Sequence, residues 1–143
     1  MELTTFSMVL RFTLQLEDQT NRFYRSLVES NRFPQSSDLL TRFAENSDKR
    51  KKDLERTARE SVDHSLLEPI SEFFEETYSV TSTSAQGMGH SEALAAAKQM
   101  ERTMERFYSE AGEKIGFLSN VSRVYKRYSQ ERGKAFKSLE EIL

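Results

Sequence analysis

The sequence predicts an all-α fold, a four-helix bundle with polar residues at its centre. Only two prolines and five glycines interrupt the 143 residues, which leaves room for long helices. Four stretches also carry apolar residues at helical spacing. In addition, a Glu-x5-Phe-Tyr motif occurs twice, at Glu17 with Phe23-Tyr24 and at Glu101 with Phe107-Tyr108. Because a second helical stretch follows each copy, the chain is interpreted as two related helix pairs.

The first helix pair is predicted from its end signals. We expect the first helix over about residues 4–29 and the second over about residues 37–60. The segment between them is short and contains a proline, so the second helix returns antiparallel to the first. Ser36 or Ser37 can cap the second helix, and the charge of Asp38 complements its dipole.

The second helix pair follows a long connection over about residues 62–91. Within this crossover, Pro69–Phe74 predicts a short helix, because proline is tolerated in a first turn. The third helix is expected to start after Ser91 and to reach residue 115, and the fourth to cover about residues 121–142. Two short connections flanking one long connection predict two antiparallel hairpins joined by a crossover.

Each predicted helix carries a stripe of residues spaced by alternate threes and fours. The stripes are largely apolar or aromatic at their ends and polar in their middles, so the polar residues are expected at one level of the bundle. This predicted central cluster consists of Glu17, Tyr24, Ser47, Arg50, Glu101, Tyr108 and Arg132.

The overall composition predicts one soluble, cytoplasmic domain over residues 1–143. Charged residues make up 31% of the chain, but 23 acids against 21 bases give a net charge of only −2, so we expect no nucleic-acid partner. The basic run 49–52 is followed by acids and is interpreted as a solvated helix face. No apolar stretch approaches the roughly 20 residues of a membrane span. The chain has no cysteine, which excludes disulfides and thiolate metal sites.

The repeated motif resembles the rubrerythrin-like branch of the ferritin-like diiron proteins, together with the segments 43–54 and 128–139. The resemblance extends over nearly the whole chain and implies a ferritin-like four-helix bundle. In that family, the first and third helices each give one glutamate to a two-metal centre, which matches Glu17 and Glu101 here. The second and fourth helices each supply Glu-x-x-His.

The second half of that ligand set is not retained. The Glu-x-x-His positions fall at Ser47 and Arg50 and again at Arg132 and Ala135. A guanidinium does not give up its proton to bind a metal, and alanine offers no donor atom. The two histidines, His64 and His90, lie in the predicted crossover. We therefore expect no metal cofactor; if one is bound, Glu17 and Glu101 are the expected ligands.

The replacements suggest an electrostatic hypothesis. Two buried carboxylates without counter-charge would each cost several kcal/mol or become protonated. Arg50 and Arg132 can balance them and take the volume of the metal ions, since a guanidinium grips a carboxylate with two hydrogen bonds. The alternative is that both arginines extend out to solvent.

Alternative metal sites also follow from the sequence. Glu45, Asp48 and Glu131 could form an all-carboxylate site if the register shifts, which would suit Mg, Ca or Mn. His64 and Glu68 have the spacing of a weak surface pair.

Two function classes follow. The first is a non-enzymatic structural or interaction protein, expected as a homodimer, in which Phe73 and Phe74 cover one end of the bundle or meet a second subunit. The second is an iron- or manganese-dependent oxidoreductase or peroxide-handling protein with an unusual carboxylate ligand set. A small-molecule binder with a cavity at the crossover is a third possibility that no residue pattern supports. The sequence contains no nucleophile–base arrangement, phosphate-binding loop or dinucleotide fingerprint, which favours a non-enzymatic role.

Overall fold

The computed structural model describes residues 1–60, 68–80 and 84–142. These residues form four long helices, and each lies within two residues of its predicted bounds. The all-α prediction is confirmed. The helices are α1 (Phe6–Glu29), α2 (Ser37–Glu60), α3 (His90–Lys114) and α4 (Ser119–Glu140). Single turns of 3₁₀ helix cover Pro34–Ser36 and Glu75–Tyr78.

The helices associate as two hairpins, the predicted ferritin-like arrangement. α1 packs most extensively on α2, and α3 on α4, while α2 and α4 touch much less. In the part of the chain that the structure describes, no helix has the length and apolarity needed to cross a membrane.

The start of α1 shows how the local sequence determines where a helix begins and which of its residues face the core. The Thr5 hydroxyl accepts a hydrogen bond from the Met8 backbone N–H at 3.3 Å, which caps the helix. From there, apolar residues at helical spacing face inward, and the same face carries Glu17, which is fully buried. The buried carboxylate is therefore a consequence of register, since Glu17 lies on the core face of its helix.

The core consists of two apolar clusters separated by a polar layer. On α1, Leu16 belongs to one cluster and Phe23 to the other, and the buried Glu17 and Thr20 lie between them. The other three helices likewise pass from one cluster to the other at their buried polar residues. The polar layer therefore crosses the middle of the bundle, and any charge in it is shielded from water at both ends.

The predicted short helix at Pro69–Phe74 is wrong. This segment contains no helix: the backbone bends at Glu72, whose φ is 56°, and the segment pairs with the chain's first residues. The Leu3 N–H donates to the Phe73 carbonyl at 2.7 Å, and the Ile70 N–H to the Thr4 carbonyl at 2.9 Å. A helix would divert these backbone groups to partners within the segment. The 3₁₀ turn begins only at Glu75.

The two neighbouring phenylalanines of the crossover face opposite ways. Phe73 is 2% exposed and stacks on Phe107 with ring centroids 6.0 Å apart, so it covers the core at one end of the bundle. Phe74 is 45% exposed. In extended backbone, successive side chains point to opposite sides, which explains the difference.

Candidate functional site

The polar layer brings together all seven residues of the predicted central cluster. α1 supplies Glu17 and Tyr24, α2 Ser47 and Arg50, α3 Glu101 and Tyr108, and α4 Arg132, and all of them are buried. Arg132 is only 1% exposed and Arg50 only 5%. Neither arginine extends out to solvent.

Arg132 bridges the two repeated glutamates. Its Nη2 donates to Glu17 Oε1 at 2.6 Å and its Nη1 to Glu101 Oε1 at 2.8 Å. Nη2 also donates to Thr20 Oγ1 at 3.1 Å, and the Thr20 hydroxyl lies 3.1 Å from that of Ser47. The guanidinium therefore lies between carboxylates from α1 and α3. Small hydroxyl side chains on α1 and α2 leave room for its tip.

Arg50 connects the centre to the surface. Its Nε donates to Glu17 Oε2 at 3.0 Å, and its Nη1 donates to Glu131 Oε1 at 3.1 Å. The Glu131 side chain is 42% exposed, whereas that of Glu17 is fully buried. Glu17 is thus held by one arginine on each oxygen.

The tyrosines of the repeated motif, Tyr24 and Tyr108, donate hydrogen bonds to its glutamates. The Tyr24 hydroxyl donates to Glu101 Oε1 at 2.6 Å, and the Tyr108 hydroxyl donates to Glu17 Oε2. The tyrosine of each copy therefore binds the glutamate of the other copy. The two copies of the motif are therefore joined by a reciprocal pair of hydrogen bonds between α1 and α3.

Burial and charge act in opposite directions on the acid at the centre. Burial alone would raise the pKa of Glu17, but Arg132 and then Arg50 outweigh it, and the pKa lies below its ordinary value. Glu17 is therefore a carboxylate at neutral pH.

The bases and phenols of the layer respond to the same charges. Burial lowers the pKa of Arg132. The nearby carboxylates of Glu101 and Glu17 raise it by more than burial lowers it, so the net pKa lies above its ordinary value. Burial, followed by the neighbouring carboxylates, raises the pKa of Tyr24 and Tyr108 well above the ordinary value. Both tyrosines are neutral donors at neutral pH.

Comparison with known families matches this chain to the rubrerythrin model over residues 9–140. That match covers most of the 143 residues. The chain belongs to the rubrerythrin family. Searches among curated proteins and among solved structures find no match.

The centre of this rubrerythrin-family chain does not fit the two metal ions that the family implies. Both oxygens of Glu17 accept from arginines, and Glu101 Oε1 accepts from Arg132 and Tyr24. Within residues 1–60, 68–80 and 84–142, no group of three or more His, Cys, Asp or Glu side chains could hold a metal ion. A bound cation would have to displace a buried guanidinium from between two carboxylates.

The alternative ligands considered from the sequence are not grouped as a metal site within the described residues. Glu45 is exposed, the carboxylate of Asp48 pairs with Arg25 at 3.2 Å, and Glu131 pairs with Arg50. His90 is the first residue of α3 and lies against the Phe33 ring, with centroids 4.3 Å apart. His64 lies outside the described residues, so the proposed pair with Glu68 does too.

Two residues that contact the buried arginines, Thr20 and Glu131, were not predicted in these roles. Thr20 accepts from Arg132, and its position on the α1 stripe was an available signal. Glu131 was considered only as a metal ligand, but it pairs with Arg50 from a half-exposed position. Helical spacing does not show this contact, because the length of the arginine side chain decides how far across the bundle it reaches.

Proposed function

We propose that this chain is a non-enzymatic member of the rubrerythrin family with a structural or interaction role, in which Glu/Arg pairs replace the diiron centre. The observation that carries this proposal is the position of Arg132, whose guanidinium lies 2.6 Å from Glu17 and 2.8 Å from Glu101. A guanidinium stays protonated in proteins, so it neither binds a metal nor exchanges protons with a substrate.

Charge balance supports the same proposal. Glu17 and Glu101 contribute two buried negative charges, and Arg50 and Arg132 contribute two buried positive charges. Removing one partner of a buried pair leaves an uncompensated charge that costs about 3–5 kcal/mol. The formal charges of these four side chains therefore balance without a cation, as the proposed structural role requires.

Metal analysis tests the proposal. The protein is purified without added metal, incubated with Fe(II) or Mn(II), desalted and assayed for bound metal. We expect no stoichiometric metal. The positive control is a variant with the family's ligands restored, carrying Ser47→Glu, Arg50→His, Arg132→Glu and Ala135→His, and it should gain metal. Near-stoichiometric iron or manganese in the unaltered protein would overturn the proposal and favour a carboxylate-ligated oxidoreductase.

We also propose that the interaction role includes a homodimer. Phe74 and Met1 are 45% and 60% exposed, and the Glu75 N–H donates to the Met1 carbonyl at 3.1 Å, which places the two exposed apolar residues on neighbouring strands of backbone. Exposed apolar surface of this kind favours burial against a partner.

Light scattering coupled to size exclusion measures the oligomeric state. The unaltered chain should elute as a dimer, and Phe74→Ser should shift it towards monomer. Thr77→Ser, a change at a nearby exposed position, should leave the dimer intact. A strict monomer for the unaltered chain would contradict the homodimer.

A further inference from the structure

A groove of about 500 Å³ opens between α2 and α4 on one face of the bundle. Its α2 side extends from Leu39 to Asp53, so a rise of about 1.5 Å per residue makes it roughly 20 Å long. Leu39 and Ala135 are half-buried and give the groove accessible apolar surface. The groove is open because α2 and α4 pack less extensively on each other than on α1 and α3. It is not the crossover cavity considered from the sequence.

Exposed bases stand on both sides of the groove. Arg42 and Lys49 on α2 and Lys134 on α4, the rim bases, are exposed, and none makes an ion pair with any residue that the structure describes. The half-buried acids of the lining, Asp53 and Glu131, already pair with arginines. The accessible charge of the groove is therefore positive, and such a cleft attracts groups of negative charge.

The crossover carries a segment of complementary character, residues 72–76, here called the acidic loop. Phe74 is 45% exposed and lies between Glu72 and the pair Glu75 and Glu76. Within the described ranges, Glu72 and Glu75 make no ion pair. Residues 68–78 contain four acids and no base. An exposed aromatic ring among unpaired acids thus matches an apolar groove among unpaired bases.

The backbone holds Phe74 in this exposed position. Glu72 has a φ of 56°, in the left-handed region that residues other than glycine rarely adopt. Its N–H donates to Glu2 Oε2 at 3.0 Å, and the next residue, Phe73, is buried and accepts from the Leu3 N–H at 2.7 Å. Strained backbone of this kind clusters at binding sites. The exposed ring is therefore part of a fixed conformation, which reduces the entropy that docking would cost.

The groove and the acidic loop lie on opposite faces of the bundle. Since α1 packs on α2 and α3 on α4, the α2/α4 face lies opposite the α1/α3 face. The loop is fixed on the α1/α3 side, where Phe73 stacks on Phe107 of α3 and Lys114, the last residue of α3, donates to the Ser71 carbonyl at 2.8 Å. A chain therefore cannot place its own loop in its own groove, and contact between the two surfaces requires a second copy.

We propose that the groove of one copy binds the acidic loop of a second copy. The Phe74 ring packs against the apolar lining, and the acids of the loop pair with the rim bases. This inference rests on the proposed homodimer and specifies its interface. Because the two surfaces lie on opposite faces, the contact is heterologous and does not close on itself after two copies. The dimer is then the first product, and further copies should add at higher concentration.

Light scattering coupled to size exclusion tests the proposal with two complementary variants. Phe74→Ser retains an intact groove, and a triple groove variant with Arg42→Glu, Lys49→Glu and Lys134→Glu retains an intact loop. Each alone should self-associate at least about tenfold more weakly than the unaltered chain. An equimolar mixture should recover association as a one-to-one dimer and stop there, because its remaining loop lacks Phe74 and its remaining groove carries acids.

The matched control carries Lys52→Glu, Arg123→Glu and Lys137→Glu at exposed positions outside the groove, so it has the same net charge as the triple groove variant. It should associate like the unaltered chain. Helical circular dichroism of each variant verifies that it is folded. Equal loss of association in both triple variants would show repulsion by net charge alone and overturn the groove contact.

The remaining outcomes separate this contact from the homodimer itself. A triple groove variant that still dimerises while Phe74→Ser is monomeric would overturn the groove contact and leave the homodimer in place. A mixture that stays monomeric, or an unaltered chain whose mass stops at the dimer at every concentration, would also overturn the heterologous contact. A strictly monomeric unaltered chain would contradict the homodimer and, with it, the docking of a second copy.

Discussion

The side chain of Arg132 shows why arginine, and not lysine, is suited to the centre of this bundle. Its planar fork donates from Nη1 to Glu101 and from Nη2 to Glu17, which lie on different helices. A lysine carries one compact ammonium and cannot reproduce a bridge with this fixed geometry. One residue thereby joins α1, α3 and α4.

Arg132→Ala should lower the free energy of unfolding by about 3–5 kcal/mol, because it leaves two buried carboxylates short of a counter-charge. Urea denaturation at neutral pH measures this loss. Arg132→Lys should recover only part of it. The control is Arg22→Ala, which removes a surface pair with Asp18 whose arginine side chain is 68% exposed, and it should cost less than about 1 kcal/mol. Equal stability of Arg132→Ala and the unaltered protein would contradict the buried-pair account.

The depressed pKa of Glu17 predicts a specific acid sensitivity. Because the folded pKa lies below the ordinary value of 4.5, the stability that this carboxylate contributes is complete above that value. It is lost as the pH falls through the lower, folded pKa. Denaturation between about pH 6 and about pH 3 should therefore show a steep loss of stability.

Glu17→Gln isolates that contribution. This variant should be less stable at neutral pH and should depend less on pH below 4.5 than the unaltered protein. Glu45→Gln, at an exposed position, is the matched control and should retain the full pH dependence. An unchanged acid profile in Glu17→Gln would assign the acid sensitivity to other groups.

At the scale of elements, the helices could be predicted from the sequence because their signals are local. The spacing that placed Glu17 and Glu101 on core faces depends only on 3.6 residues per turn. Segment Pro69–Phe74 could not be predicted in this way, because its conformation is set by hydrogen bonds to Leu3 and Thr4, far away in sequence.

Replacing each of two glycines, Gly133 and Gly87, by alanine should change the stability in opposite directions. Gly133 lies within α4, and a Cβ there would meet only the flexible carboxylate end of Glu105, at 2.5 Å from Oε2. Since that side chain can rotate away, Gly133→Ala should raise the free energy of unfolding by about 0.5–1 kcal/mol through helix propensity. Gly87 is the contrasting control: its φ of +84° strains any other residue although the space is open, so Gly87→Ala should be destabilising. Thermal melts that order the two variants the other way would contradict this reading of α4.

At the scale of the whole molecule, the fold is two apolar clusters with a charged layer between them. Within this layer the two glutamates, Glu17 and Glu101, pair with the two arginines, Arg50 and Arg132, so the formal charges balance. The apolar ends keep water from the ion pairs, which strengthens their mutual attraction. The repeated motif therefore retains a structural use, since each tyrosine still holds the glutamate of the other copy.

All five tyrosines report on the integrity of the whole bundle. Burial, as the largest cause, raises the pKa of every one of them above the ordinary 10.0, that of Tyr128 to about 12. Raised folded pKa values contribute stability that is complete below pH 10.0 and is lost as the pH rises through them. Absorbance at 295 nm should therefore stay low at about pH 11 and rise only together with the loss of helical circular dichroism. A gradual titration with a midpoint near 10 in the still-helical protein would contradict this.

We propose that guanidinium groups stand where the family has metal ions. A crystal soaked in Mn(II) and measured for anomalous scattering tests it most directly. We expect no anomalous peak in the polar layer and planar guanidinium density between Glu17 and Glu101. An anomalous peak within about 2–2.5 Å of both carboxylates, with Arg132 displaced, would contradict the claim.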